Sequence, residues 1–242
     1  MPRLGVLAVL LWLSTQAVAF DPQPFELELE GFFYRGLPIK VVGTQTLAHR
    51  GNGVWRAEIR ARGPFIRMEE RADFRWKDNT VVPIAYHYSL RAPFEREEKR
   101  ILFQPEQNRI QVDIDGHQTN HEYTADWYDP LSYTVLLLRD LEQGLNSSKF
   151  TILSHANERA HVFTRTENHD LPERAVVLSQ EQPRRGITYI ILDKNNHAPA
   201  HLLRWRNGSI DYHIRTLSGQ MNGQRLNGFP HWPNPRRNVP RE

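Results

Sequence analysis

Apolar and charged residues alternate along most of this chain. In "FELELE", Phe25, Leu27 and Leu29 share one face and Glu26, Glu28 and Glu30 the other, the period of two that marks a half-buried strand. After a turn at Arg50-Gly51-Asn52-Gly53, Trp55, Ala57, Ile59 and Ala61 oppose Arg56, Glu58, Arg60 and Arg62 in the same way. "FIRMEERADFRW" continues the pattern to a turn at Lys77-Asp78-Asn79. Val82, Ile84, Tyr86, Tyr88 and Leu90 then read as one register, with Pro83 pointing to a sheet edge or a bulge. Short strands follow in "EREEKRILFQP", "NRIQVDIDG" and "HQTNHEY". The pattern resumes later in "KFTILSH", "AHVFTRT", "RAVVLSQ", "ITYIILD", "AHLLRWRN" and "SIDYHIRTL". Many short strands separated by turn residues predict a sandwich or barrel.

One stretch breaks the alternation. "TADWYDPLSYTVLLLRDLEQG", Thr124 to Gly144, carries a helix whose start is marked by Asp129 as a cap and Pro130 in the first turn, and whose end is marked by Gly144. Tyr133, Leu137, Leu141, Thr134, Leu138, Leu131 and Val135 sweep about 200° of its circumference, wider than the stripe of a surface helix. A helix so broadly apolar must be wrapped on more than one side. A twisted antiparallel sheet curls, and its concave face must be filled. The predicted fold is therefore mainly β: a strongly curved antiparallel meander, an incomplete β-barrel, with one apolar helix in or across the concavity. A helix held between the sheet and a long loop is the alternative.

Both ends of the chain read differently. Residues 1–19 have the Arg3 charge, an apolar run from Leu4 to Leu13 and a small-residue site at Ala17-Val18-Ala19, the pattern of a secretory signal peptide cleaved before Phe20. The run is too short to span a bilayer, and no later segment is apolar for long enough. A soluble, periplasmic protein is the expectation. Residues 20–217 read as one β-rich domain. From Ser218 onward the chain is rich in Asn, Pro and Gly without periodicity and reads as a disordered basic tail, residues 218–242, with Arg225, Arg236, Arg237 and Arg241 against Glu242.

Composition narrows the chemistry. With 31 basic and 28 acidic side chains the formal charge is +3, and the excess lies in the tail, so the body is no nucleic-acid-binding domain. Cysteine is absent, which removes disulfides and thiolate chemistry and leaves core burial to hold the fold. His117 and His121 share a strand face about 13 Å apart, too far to hold one ion. The other histidines, among them His49, His87, His155, His161, His197, His201 and His213, show no ligand spacing. No metal or cofactor is assigned.

No catalytic residue is assigned either. Ser132 reads as a capping residue, no nucleophile elbow is present, and a working pair among carboxylates such as Asp126, Asp129 and Asp140 cannot be read from spacing. The run Glu95 to Arg100 reads as a solvated strand or turn. The candidate ligand-binding residues are aromatic: Trp55, Trp76, Tyr86, Tyr88, Trp127 and Tyr133, with Leu137 of the helix. They either form a surface for an acyl chain or a glycan, or pack the core.

Three segments carry a family resemblance: "PFELELEGFFYRGLPIKVVGTQTL", "ADFRWKDNTVVPIAYHY" and "YDPLSYTVLLLRDLEQG", the last with its Asp129-Pro130-Leu131-Ser132 helix start. Over Pro24 to Leu217 the chain resembles DUF3108, a family of exported bacterial proteins of unknown function. That resemblance implies kinship in fold with the LolA/LolB-type lipoprotein carriers, from which this chain differs in having one clear helix. It implies a binding or carrier module for an apolar, lipid or lipidated, cell-envelope component. A non-catalytic interaction protein docking on an envelope partner and a hydrolase of a cell-wall polymer remain the alternatives.

Overall fold

The structure is a computed structural model that describes residues 20–35, 37–93, 95–154, 157–166, 175–183, 188–193, 198–207 and 210–227. The expected signal peptide, residues 1–19, lies outside them. The first arm of the fold is an antiparallel meander: β1 (Phe25–Arg35), β2 (Leu37–Gly51), β3 (Val54–Arg62), β4 (Arg67–Lys77), β5 (Thr80–Ala92), β6 (Glu95–Gln104), β7 (Arg109–Ile114) and β8 (His117–Glu122). A short β9 (Trp127–Tyr128) leads into α1 (Tyr133–Glu142). The second arm follows: β10 (Ser147–Leu153), β11 (Glu158–Thr166), β12 (Ala175–Gln182), β13 (Thr188–Asp193), β14 (Ala198–Asn207), β15 (Ile210–Met221) and β16 (Gln224–Asn227).

Among the described residues all 16 strands belong to one sheet, ordered β8-β7-β6-β5-β4-β3-β2-β1-β15-β14-β13-β12-β11-β10-β9, with β16 beside β15. The first strand thus joins the two arms by pairing with β15, and the two ends, β8 and β9, are not paired to each other. Glycines flank this seam on the inner face. A Cβ on Gly43, opposite Leu29, would stand 2.2 Å from the Arg60 carbonyl oxygen, and one on Gly219, opposite Leu27, 2.5 Å from that of Glu26. Such close backbone approach is available where side chains are absent, and it lets the sheet bend there.

The helix lies where the curl of the sheet requires filling. It packs against β5 of one arm and against β10 and β14 of the other, and the Arg139 Nη1 donates to the Asn79 carbonyl oxygen at 2.9 Å. The predicted curved meander with a helix in its concavity is the observed fold. The helix itself is shorter than the stretch that announced it. Residues before Pro130 are turn and β9, because a residue preceding proline is pushed away from helical geometry. Its deepest side differs too: Val135, Leu136, Leu137 and Asp140 are buried, whereas Leu138 and Leu141 are half-buried. Both faces are nonetheless covered, as a helix between two arms must be. At its end Gly144 takes φ +75° and Leu145 N donates to the Asp140 carbonyl at 2.9 Å, closing the last turn.

Turn chemistry sets the hairpins. Asn52-Gly53, Asp78-Asn79, Asp115-Gly116 and Asn222-Gly223 each place two successive residues at positive φ, the geometry that matches strand twist in two-residue turns. The last of these corrects the reading of the C-terminus. Ser218 to Met221 finish β15, the Asn222-Gly223 turn reverses the chain, and β16 returns Leu226 into the core at 3 % exposure. Residues 228–242 of the expected tail lie outside the described residues. A second correction concerns β5. Asp73 pairs with Ala85 but Phe74 with Pro83, so Ile84 is an extra residue, the bulge that Pro83 suggested. Val81 and Pro83 therefore share the buried side with Tyr86, and the expected register of Val82 and Ile84 is reversed.

Candidate functional site

Strand pairing aligns residues across the concave face in rows. One row runs Leu47, Ala57, Ala72, Tyr86, Ile101 and Val112 from β2 to β7 and is buried throughout. The adjacent row runs Gln45, Ile59, Glu70, Tyr88, Lys99 and Ile114. Two opposite charges, Glu70 and Lys99, therefore stand either side of Tyr88 on an otherwise largely apolar surface. The start of α1 adds a third charge, Asp129, to the same interior.

Each charge is held differently. The Glu70 side chain keeps some exposure as a residue, but its carboxyl end is enclosed, and Oε1 accepts a bond from the Tyr86 hydroxyl at 2.8 Å. Burial pushes this carboxyl up to about 7; the Tyr86 bond opposes the rise, Asp129 adds to it, and Lys99 opposes it. Burial likewise raises the Tyr86 hydroxyl well above its usual range, reinforced by Glu70. Lys99 is 5 % exposed, its Nζ 5.8 Å from the Tyr88 ring centre and 3.5 Å from Glu97 Oε1. Its burial corrects the reading of Glu95–Arg100 as a solvated run: Lys99 shares the inward register of Ile101 and Phe103 in β6.

Asp129 has no exposed surface. Its Oδ1 accepts from Leu131 N at 2.9 Å and Ser132 N at 2.8 Å, and its Oδ2 accepts from the Ser132 hydroxyl. Burial still raises its pKa, against those bonds. Two interior carboxylates with raised pKa values are where an acid–base pair would be sought. Here one of them is wholly spent on the turn that starts the helix, which is capping of the kind expected for Asp129.

The aromatic residues singled out by the sequence all reach the core cluster, but not one place in it. Tyr86 and Leu137 are buried within it, and Trp55, Trp76, Tyr88, Trp127 and Tyr133 pack against it half-buried. Tyr86 and Tyr88 meet Glu70 and Lys99. Trp55 lies against His49, ring centres 5.3 Å apart, and Trp76 against Phe20 at 5.3 Å. Trp127 meets His121 at 6.1 Å. In the second arm Tyr133 joins Phe150 and Phe163, both at 5.8 Å, with His161 at the edge. His117 and His121 occupy opposite ends of β8, paired with Ile114 and Ile110. Glu70 and Lys99 were not singled out, although a signal existed. Met68, Glu70, Ala72, Phe74 and Trp76 form one period-two register, as do Lys99, Ile101 and Phe103, and each contains one charge.

No family model matches the chain, and no curated protein matches it. Among solved structures, the β-barrel-like protein of the domain of unknown function DUF1849 from Brucella abortus superposes with a TM-score of 0.54, at 7 % identity, over 82 % of this chain and 98 % of that one. At that identity the likeness is one of fold: this chain is a β-barrel-like protein built on an unclosed antiparallel sheet. Among the described residues no helix is long and apolar enough to cross a membrane.

Proposed function

We propose that this protein is a binding or carrier module for an apolar, lipid or lipidated, component of the bacterial cell envelope, acting in the periplasm. The observation that carries the reading is the concave face itself. Its rows are largely apolar, an apolar helix lies across it, and Glu70, Tyr86, Tyr88 and Lys99 converge on one patch of it. Ligand sites combine mostly apolar lining with a few convergent polar groups and perturbed pKa values. An acyl chain suits the apolar rows. Lys99, buried beside Tyr88 with Glu97 at 3.5 Å, suits an acidic headgroup. The resemblance to DUF3108 and to the LolA/LolB-type carriers leans the same way, as does the signal-peptide pattern of residues 1–19.

Native mass spectrometry of the protein purified from a bacterial periplasm tests this. Satellite peaks at lipid masses are expected, lost on delipidation and restored by added lipid. Lys99→Met keeps the bulk of the side chain and removes its charge, so adducts with acidic lipids should weaken by about tenfold or more. A single apo mass, unmoved by added lipid, would mean that the helix and side chains fill the concavity, and would end the carrier reading.

A further inference from the structure

The convex face carries a second feature, independent of the interior. The pairing register places Arg62 opposite Arg67, Arg67 opposite Arg91, and Arg91 opposite Arg96, one continuous row across β3, β4, β5 and β6. All four are exposed. At the usual strand spacing the row spans about 14 Å. Like charges directly opposite one another destabilise a sheet, so such a row is not what folding alone would select.

Elsewhere on this face three arginines have acid partners, while Arg71 and Arg75 of β4 have no ion pair among the described residues. Arg56 makes a bidentate bond to Asp73 at 2.6 and 2.9 Å, Arg60 meets Glu58 at 2.6 Å, and Arg100 meets Glu98 at 2.5 Å. Arg62, Arg67, Arg91 and Arg96 have no ion pair among the described residues. The nearest acids in sequence are Glu69, one row inward, and Glu95, Glu97 and Glu98 around Arg96, of which Glu97 meets Lys99 at 3.5 Å and Glu98 meets Arg100 at 2.5 Å. Further along the row Glu30 is already neutralised, by Lys40 and by Arg215 at 2.7 Å.

An apolar tip stands beside the row. Between Arg62 and Arg67 the chain turns through Gly63-Pro64-Phe65-Ile66, closed by Gly63 N donating to the Ile66 carbonyl at 2.8 Å. Phe65 projects from this turn at 71 % exposure, and Val42, paired with Arg62 in the same row, is 43 % exposed. The opposite end of the same strands is closed by the polar turns Asn52-Gly53 and Asp78-Asn79.

We infer that this rim is a docking surface for an anionic phospholipid bilayer, with the arginine row at the headgroup phosphates and Phe65 at the boundary with the acyl chains. A cationic row alone would suit any polyanion. The exposed aromatic and aliphatic side chains beside it select a partner that offers charge and an apolar layer a few ångströms apart, which a bilayer surface does.

Co-sedimentation of the purified protein with phosphatidylcholine vesicles, with and without phosphatidylglycerol, is the test. Binding is expected on the anionic vesicles and should fall with added salt. Arg62→Gln with Arg67→Gln should weaken it roughly 25-fold, and substitution of all four arginines by glutamine several hundredfold, at about fivefold per charge. Phe65→Ser should weaken binding to anionic vesicles without changing its salt dependence. The arginines of residues 228–242 are common to every variant, so they cannot produce these differences. The fourfold variant should melt no lower than the unaltered protein, since it relieves facing charges. Vesicle binding that survives the fourfold substitution would overturn the proposal. So would binding that needs the arginines, ignores Phe65 and is matched by soluble polyphosphate, which would make the row a site for a soluble polyanion. Lys99→Met should leave vesicle sedimentation unchanged, so this surface and the interior site succeed or fail separately.

Discussion

Asp129→Ala is expected to lower the unfolding free energy by about 3–4 kcal/mol, read from denaturant unfolding followed by circular dichroism. The alanine removes the acceptor for the Leu131 and Ser132 amides and for the Ser132 hydroxyl, all at the buried start of α1. Loss of a helix-start acceptor typically costs about 1 kcal/mol and each buried donor left unpaired adds roughly 1–3 kcal/mol, while removal of a carboxyl whose burial is itself unfavourable offsets part of that sum. Asp129→Asn is the informative companion. Its amide oxygen can still accept from both backbone N–H groups, so it should retain more than half of the lost stability. If Asp129→Ala unfolds within about 0.5 kcal/mol of the unaltered protein, the range of an ordinary surface substitution, the helix start is not anchored as described.

Glu70→Gln should stabilise the protein at neutral and mildly alkaline pH. The Glu70 carboxyl is pushed up to about 7 in the fold from its ordinary 4.5, so between those values the folded state holds a proton that the unfolded state has released. Stability contributed by the protonated form is then full below the unfolded value and declines as pH rises through the folded one. Asp129 is shifted in the same direction and adds to the decline. Glutamine cannot ionise and keeps an acceptor for the Tyr86 hydroxyl. At pH 8 the variant should be more stable by about 2–3 kcal/mol, and its stability should vary less between pH 4.5 and 7. Toward acid, Glu30 works the other way. Its hydrogen bonds with Lys40 and then Arg215 hold its pKa below the ordinary value, so its contribution is lost as pH falls. Equal melting temperatures of Glu70→Gln and the unaltered protein at pH 8 would show that the carboxyl is solvated.

Period-two patterning, turn residues and helix boundaries belong to the sequence by itself. Phe25, Leu27 and Leu29 face inward because successive side chains of any strand alternate, and Asp78-Asn79 or Asp115-Gly116 turn the chain because those residues tolerate positive φ. Asp129 and Gly144 start and stop the helix through bonds to residues within five positions of themselves. From these local rules came the strand-rich class, and from the breadth of the apolar arc came a helix enclosed by a curled sheet.

Tertiary structure decided the rest, because the forces concerned act between residues far apart in the chain. The extra residue at Ile84 reverses the inward face of the first part of β5, and a periodicity count cannot see the partner strand against which it is extra. Ser218–Asn227 lacks alternation yet is strand, held by pairing with residues at the beginning of the chain and with itself across one turn. Glu70 carries a raised pKa because the folded sheet buries its carboxyl, and the nearby Asp129 adds to the rise against the bond from Tyr86, which no stretch of sequence near Glu70 records. The row of Arg62, Arg67, Arg91 and Arg96 exists only once three hairpin registers are set, since a shift of one residue in any of them would turn part of the row to the opposite face.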